Sequence, residues 1–351
     1  MKELDVFDVT IIGGGPAGLY SAFYSGLREM KTKLIEYQAE LGGKVRLYPE
    51  KMIWDVGGLP PTTGDAFINQ LINQGLTFRP SVHLNTKVTH ISKHEDGIFY
   101  ITTNNGELHA SKTVVIAVGG GIITPQKLAI EGAERFELTN LHYTIQSLAR
   151  FKGKTVLISG GGNAAVDWAN ELEPVAEKVY LTYRKEALKG HEAEVSRLLN
   201  SSVTCYFNTS VTKLTAKRSE EAIDHVELLR GDTGEAMELE VDEVVINHGY
   251  EQDTSLLKNT GLPIELQDEH FIAGGPNSSS SVPGIFAAGD ILRHEGKLHL
   301  IAGAFQDAAN AINQAKQFIE PKAEKSGRVS SHNDVFKKWN AELKKERQNV
   351  R

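Results

Sequence analysis

The run Phe7-Asp8-Val9-Thr10-Ile11-Ile12, followed by Gly13-Gly14-Gly15-Pro16-Ala17-Gly18-Leu19, restricts this chain more than any other stretch. An apolar β-branched segment enters Gly13-x-Gly15-x-x-Gly18 and leaves through helix-forming residues to Leu27, which reads as strand, tight turn and helix. Lys33-Leu34-Ile35-Glu36 reads as a second strand that ends in an acid, about twenty residues past the glycines. In such a βαβ unit the first glycine permits the turn, the second lets backbone approach a pyrophosphate, and the third lets the helix pack on the strand. The helix N-terminus, with its unpaired N–H groups and dipole, is then the anion site, and Glu36 is expected to accept hydrogen bonds from ribose hydroxyls. A glycine-rich turn without a ligand needs none of the flanking strand, helix and terminal acid that coincide here.

Val9 to Leu27 carries no charge and nearly reaches membrane-spanning length, but five glycines and Pro16 interrupt it and acidic residues precede it. These features argue against a spanning helix and against a signal peptide. With 351 residues the chain has room for about two domains, each with a proper core. A formal net charge of −7 gives no overall basic excess for nucleic acid. Cys205 is the only cysteine, which leaves no internal disulfide, no Cys-x-x-Cys redox pair and no thiolate metal cluster. Together with the absence of a targeting segment, this favours a reducing cytoplasm.

Beyond Glu36, Leu41-Gly42-Gly43-Lys44-Val45-Arg46-Leu47-Tyr48-Pro49 is a loop whose paired glycines allow backbone to approach a ligand. Thr63 to Gln74 reads as a helix. Val82 to Ser92, Ile98 to Thr103 and Leu108 to Ser111 read as a meander joined by Asp96-Gly97 and Asn105-Gly106 turns. A separate buried strand, Lys112 to Val118, follows and runs into Gly119-Gly120-Gly121.

The same grammar then repeats: strand Thr155 to Ser159, turn Gly160-x-Gly162-x-x-Ala165, helix Val166 to Leu172, strand Lys178 to Tyr183, a meander-like stretch from Val203 to Val241, and Glu243 to Gly249. The copies differ at the end of the second strand, where Glu36 gives way to Tyr183-Arg184-Lys185, with Lys189 about one helical turn onward. An acid there favours a ribose 2′-OH, whereas cations accommodate a 2′-phosphate. The first site is expected to take FAD and the second NADPH. A merely solvated basic patch is the competing reading of the cations. After a Gly/Ser-rich loop, Gly284 to Ala288 reads as a strand leading to Gly289-Asp290, with Asp290 placed to hold a polyol or to cap its turn. A helix runs on to about Phe318, its N-terminus open to an electron-rich group, and Pro321 ends it. Val335, Phe336 and Trp339 suggest a last short amphipathic helix.

On these motifs the chain resembles the thioredoxin-reductase-like ferredoxin/flavodoxin–NADP reductases over nearly its whole length. The matching segments are Gly13 to Gly18, Glu36, Leu41-Gly42-Gly43, Leu47 to Lys51, Gly160-Gly161-Gly162-Asn163-Ala164-Ala165, His191-Glu192 and Phe286-Ala287-Ala288-Gly289-Asp290. The likeness to thioredoxin reductase itself fails where that enzyme has Cys-x-x-Cys, because here the stretch is His142-Tyr143-Thr144-Ile145-Gln146-Ser147. The resemblance implies an α/β fold of two Rossmann-like three-layer domains, the NADPH domain inserted in the FAD domain, with a C-terminal tail. The corresponding boundaries are 1–118 and 249–320 for FAD, 119–248 for NADPH and 321–351 for the tail.

It further implies FAD contacts from Gly13, Gly15, Pro16, Ala17, Gly18, Glu36, Gly43, Lys44, Tyr48, Val88, Gly119, Asp290 and Ile301, and NADPH contacts from Gly160, Gly162, Asn163, Ala164, Arg184, Lys185 and Lys189. Tyr48 is expected to stack on one face of the isoalloxazine, and the tail of the other subunit of a homodimer to cover the opposite face. Around Arg328 to His332 the register stays open between Val329 and His332 against the ring, with Ser330 or Ser331 near flavin N5. The chemistry implied is hydride transfer from NADPH to the flavin and single-electron release to ferredoxin or flavodoxin, with no metal and no nucleophile. The spacing of the twelve histidines supports neither a catalytic triad nor zinc. Gly119-Gly120 and His248-Gly249 are the expected hinge. Lys44, Arg46 and the tail lysines are candidates for meeting an acidic ferredoxin. The rival readings are another flavoenzyme (an NADPH oxidase, or a quinone or disulfide reductase), a nucleotide sensor without catalysis, and a structural protein.

Overall fold

The computed structural model describes residues 4–216, 221–253, 255–328, 332–337 and 339–341. The chain divides into two compact units. One comprises Met1–Arg46, Met52–Ile122 and Asp253–Arg351, and the other Leu47–Lys51 and Ile123–Gln252.

In the first unit a seven-stranded sheet runs in the order Ser81–His83, Thr32–Ile35, Val6–Ile12, Leu108–Ile116, Phe99–Thr103, Val88–Lys93, with Ile285–Ala287 also paired to Leu108–Ile116. The apolar run that opens the chain is the central parallel strand, and Val9, Ile11 and Leu34 are fully buried. Leu108–Ile116 is one continuous strand, where the sequence suggests two that meet between Ser111 and Lys112. Its first half pairs antiparallel with Phe99–Thr103, and its last residues pair parallel with Val6–Ile12 and Ile285–Ala287. The polar residues do not interrupt it because their hydroxyls find backbone acceptors. Ser111 Oγ donates to Thr113 O (2.8 Å) and Thr113 Oγ1 to Asp8 O (2.7 Å). The expected strand from Val82 to Ser92 is in fact two, Ser81–His83 and Val88–Lys93, separated by a turn with Asn85 at positive φ.

The helix Gly64–Gly75 starts where Thr63 Oγ1 accepts the Ala66 N–H (3.3 Å), and Asp65 lies in its first turn. A Thr63→Ala exchange is expected to cost about 1 kcal/mol, read as a lower denaturant midpoint at unchanged slope. The helices Pro16–Leu27 and Ile301–Ile319 bury faces of small residues, Ala17, Gly18 and Ala22 on one and Ala304, Ala308, Ala311 and Ala315 on the other. Past the second of these helices, the chain is fastened down by buried Arg28. Its guanidinium donates to Asn313 Oδ1 (2.8 Å) and to Glu324 O (2.6 Å), while the Gly327 N–H donates to Tyr24 Oη (3.1 Å). Asp334–Phe336 is a 3₁₀ turn, and the Phe336 and Trp339 rings lie 5.8 and 6.0 Å from that of Phe78.

The second unit repeats the plan with an all-parallel sheet ordered Leu141–His142, Glu243–Ile246, Thr155–Ser159, Lys178–Tyr183, Thr204–Phe207. Its antiparallel meander, Thr209–Ala216, Ile223–Arg230 and Ala236–Glu240, forms a separate sheet. Ile122–Pro125 and Tyr250–Asp253 pair with each other beside the expected hinge glycines, and the Gln126 N–H donates to Gly249 O (2.9 Å).

Candidate functional site

The two glycine turns share two backbone hydrogen bonds. The Gly13 N–H donates to Ile35 O (2.8 Å) as the Gly160 N–H donates to Thr182 O (2.9 Å). The Ala117 N–H donates to Ile12 O (2.8 Å) as the Asn247 N–H donates to Ser159 O (2.7 Å). Gly13 (φ 107°) and Gly160 (φ 156°) both turn in backbone that side chains avoid, and a Cβ on either would run into the facing carbonyl, Ala117 O or Asn247 O. A Cβ on Gly18 would strike Gly13 O, so the first helix needs glycine at its third position, whereas Ala165 fills the corresponding place in the second.

In the first turn, Gly15 is the N-cap of Pro16–Leu27 and brings no side-chain acceptor to the N–H groups of the opening turn. The Leu41–Gly43 loop crosses it closely: Gly42 N–H donates to Gly14 O (2.8 Å), and a Cβ on Gly43 would lie 2.8 Å from Gly15 Cα. Glu36 is buried, with Oε2 accepting the Gly14 N–H (2.5 Å) and Oε1 the Gln38 N–H (2.8 Å). An uncapped helix N-terminus, a glycine backbone cradle and a buried carboxylate at the second strand's end fit the pyrophosphate and ribose of a dinucleotide. Val88 is buried with Ile12 and Ile35, so what it can offer a nucleotide is backbone. Lys44 is exposed. Arg46 is engaged instead by Leu41 O (3.0 Å), Glu40 (3.6 Å) and Asp65 (3.5 Å).

Asp290 lies exposed in the turn Gly289–Ile291, and Ile301 opens a helix whose N-cap, Leu300, likewise has no capping side chain. What holds this turn escaped the sequence reading. Asp307, buried on the alanine-rich face of Ile301–Ile319, accepts the Gly289 N–H (3.0 Å) and pairs with the ammonium of Lys297, which also donates to Gly289 O (2.9 Å). An acid amid Ala304, Ala308 and Ala311 on a core-facing stripe was the available signal.

In the second turn Gly162 lies open, with nothing within 4 Å of a Cβ placed on it, and Asn163 and Ala164 are exposed. Asn163 Oδ1 accepts the His191 N–H (2.9 Å), which joins the turn to the start of helix Glu192–Leu199. Tyr183 occupies the position of Glu36, its ring against Gly161, and the exposed Arg184 and Lys185 follow. The Lys189 N–H donates to Gly161 O (2.7 Å), which draws the cationic loop onto the turn. His248, read from sequence only as a hinge neighbour, lies here as well, with Nε2 2.9 Å from Ser159 Oγ. Burial lowers the pKa of its imidazole, and the charge of Arg184 lowers it further.

Tyr48 is half-buried and groups with this second unit through its neighbours. Glu50 accepts the Leu148 N–H (2.7 Å), while Lys51 lies 3.0 Å from Asp167, 3.5 Å from Glu171 and 5.0 Å from the Trp168 ring centroid. In the stretch that replaces the dithiol, His142 Nε2 is 2.6 Å from Glu243. Burial pushes the Glu243 carboxyl upward, but His142 and Lys154 outweigh it and hold its pKa low. Cys205 is half-buried on Thr204–Phe207, where burial raises the thiol pKa. His332 is exposed; Val329, Ser330 and Ser331 lie outside the described residues.

Residues 7–315 match the family model described as pyridine nucleotide-disulphide oxidoreductase. The chain is 65% identical over 346 residues to ferredoxin–NADP reductase 1 of Bacillus mycoides, covering 99% of both chains. It is 63% identical to ferredoxin–NADP reductase 2 of Exiguobacterium sibiricum, covering 98% of this chain and 97% of that one. Among solved structures, thioredoxin reductase of Lactococcus lactis superposes with a TM-score of 0.70 at 25% identity, covering 89% of this chain and 99% of that one. The chain belongs to the pyridine nucleotide-disulphide oxidoreductase family, in the group of its bacterial ferredoxin–NADP reductases.

Proposed function

We propose that the protein is an FAD-dependent reductase that carries electrons from NADPH to ferredoxin or flavodoxin. The observation that supports this most is the contrast at equivalent places of two matching turns: a buried carboxylate, Glu36, in one, and Tyr183 followed by Arg184 in the other. When bound, FAD supplies hydride acceptance from NADPH and release of single electrons. In this reading Gly13 to Gly18, Gly43, Lys44, Val88 and Gly119 cradle the FAD, Glu36 holds its ribose, and Asp290 and Ile301 border the flavin end. Gly160, Gly162, Asn163 and Ala164 cradle NADPH, with Arg184, Lys185 and Lys189 on its 2′-phosphate. Tyr48 stacks on the flavin. A homodimer covers the other flavin face with the Val329–His332 segment of the partner's tail. The half-buried Cys205, its thiol pKa raised by burial, leaves electrons no dithiol path.

The test is anaerobic: purified protein is mixed with NADPH, flavin absorbance is followed, and ferredoxin or flavodoxin is then added. Failure of NADPH to bleach the flavin would end the reductase reading, whereas bleaching without faster turnover on either carrier would reject the acceptor. Arg184→Ala is expected to lower kcat/KM for NADPH about tenfold, with NADH little changed, because it removes one exposed charge-assisted contact. An unchanged NADPH/NADH ratio would reject Arg184 as a phosphate contact.

A further inference from the structure

In the first sheet two strands separate Ser81–His83 from Leu108–Ile116, yet His83 and His109 meet edge to face with ring centroids 4.8 Å apart. Glu107, following the Asn105-Gly106 turn, brings its carboxylate to the pair. Its Oε2 lies 3.6 Å from His109 Nε2 and 4.0 Å from His83 Nδ1. One donor atom from each of the three residues lies within 4.8 Å of the other two. His109 is 6% exposed, and its Nε2 is buried with no hydrogen-bond partner, since 3.6 Å to Glu107 is too long for one. A buried polar atom left without a partner is costly, and here it is turned toward a carboxylate and a second imidazole. The other nitrogen of each ring is already held, His83 Nε2 at 3.3 Å from Ser81 Oγ and His109 Nδ1 at 2.9 Å from Lys33 Nζ. Ser81 Oγ can accept the Nε2 proton of His83 and orient that ring with Nδ1 toward the carboxylate, whereas the Lys33 ammonium only donates, so His109 Nε2 becomes a ligand once one proton leaves the Lys33–His109 pair.

We propose that His83, Glu107 and His109 bind one divalent first-row ion of the zinc class, with water in the fourth position. Two imidazoles and one carboxylate suit such an ion, while calcium and magnesium require more oxygen ligands. Ligands of a tetrahedral zinc ion sit about 3.4 Å apart, given bonds of about 2.1 Å. The Glu107 side chain is 53% exposed and has room to swing onto the ion. Each ion displaces one proton from the cluster, and Lys33 and His109 share the proton that remains between them. The ion would tie the sheet edge to the meander, and His83 O is the acceptor of the Glu36 N–H (2.8 Å). Sequence spacing hides the site, because residues 83 and 109 are brought together only by the folded sheet.

The test uses the full-length holoprotein stripped of metal. Zn²⁺ is titrated in competition with a chromophoric chelator, and Co²⁺ is followed by its visible absorption. One ion per chain with the Co²⁺ bands of a four-coordinate site is expected, and Glu107→Gln and His83→Asn should each weaken Zn²⁺ binding about tenfold or more. The exposed Glu107→Gln variant should keep its flavin content, so it decides the matter if His83→Asn fails to fold. No stoichiometric ion in the parent protein, or undiminished Zn²⁺ affinity in Glu107→Gln, overturns the proposal.

Discussion

An Asp307→Asn variant is expected to lose about 3 kcal/mol or more of stability in the first unit, because it leaves the Lys297 ammonium buried without its counter-ion. The side chains of Lys297 and Asp307 are 4% and 6% exposed, so water cannot replace the lost partner. Asparagine can still accept the Gly289 N–H, so the loss should fall mainly on the charge rather than on the turn. In the double variant Asp307→Asn/Lys297→Met no charge is stranded, and most of the stability should return. Thermal and denaturant unfolding of the four proteins forms the cycle. A single variant as stable as the parent would mean that the pair is solvated, and a double variant no better than Asp307→Asn would mean that its work is done through hydrogen bonds.

Glu36→Ala should weaken FAD binding about a hundredfold while the chain still folds. The Glu36 carboxylate accepts the Gly14 and Gln38 N–H groups and is the proposed acceptor for the ribose hydroxyls. A hydrogen bond to a charged group contributes about 1.5–3 kcal/mol, and losing the equivalent of two of the weaker kind, about 3 kcal/mol, corresponds to roughly two decades in affinity. Glu36→Gln keeps an acceptor oxygen without the charge and should fall between, near tenfold. Titration of the apoproteins with FAD, followed by flavin fluorescence, measures both. Equal affinity in Glu36→Ala and parent would show that the carboxylate serves the loop alone.

Much of this could be read from the chain because it is local. The Gly13 and Gly160 turns, Glu36 and Arg184 lie within single βαβ units, where spacing along the chain translates directly into position. The break expected between Ser111 and Lys112 was wrong because the polar residues there keep their hydroxyls satisfied, Ser111 on Thr113 O within the strand and Thr113 on Asp8 O of the neighbouring one. The Lys297–Asp307 pair, the approach of His83 to His109 and the grouping of Tyr48 with the second unit depend on pairings across the fold that no spacing encodes.

The strand Ile285–Ala287, paired to Leu108–Ile116 in the first sheet, also sets an order of events during synthesis. The first unit cannot complete its sheet, nor lay Ile301–Ile319 against it, until more than 160 further residues have followed Ile116 out of the ribosome. The inserted unit is finished once Gln252 has emerged. Domains tend to fold as units as they emerge. The later of the two nucleotide-binding copies in the chain is therefore the first able to fold, and the glycine turn made earliest has to wait longest for its floor.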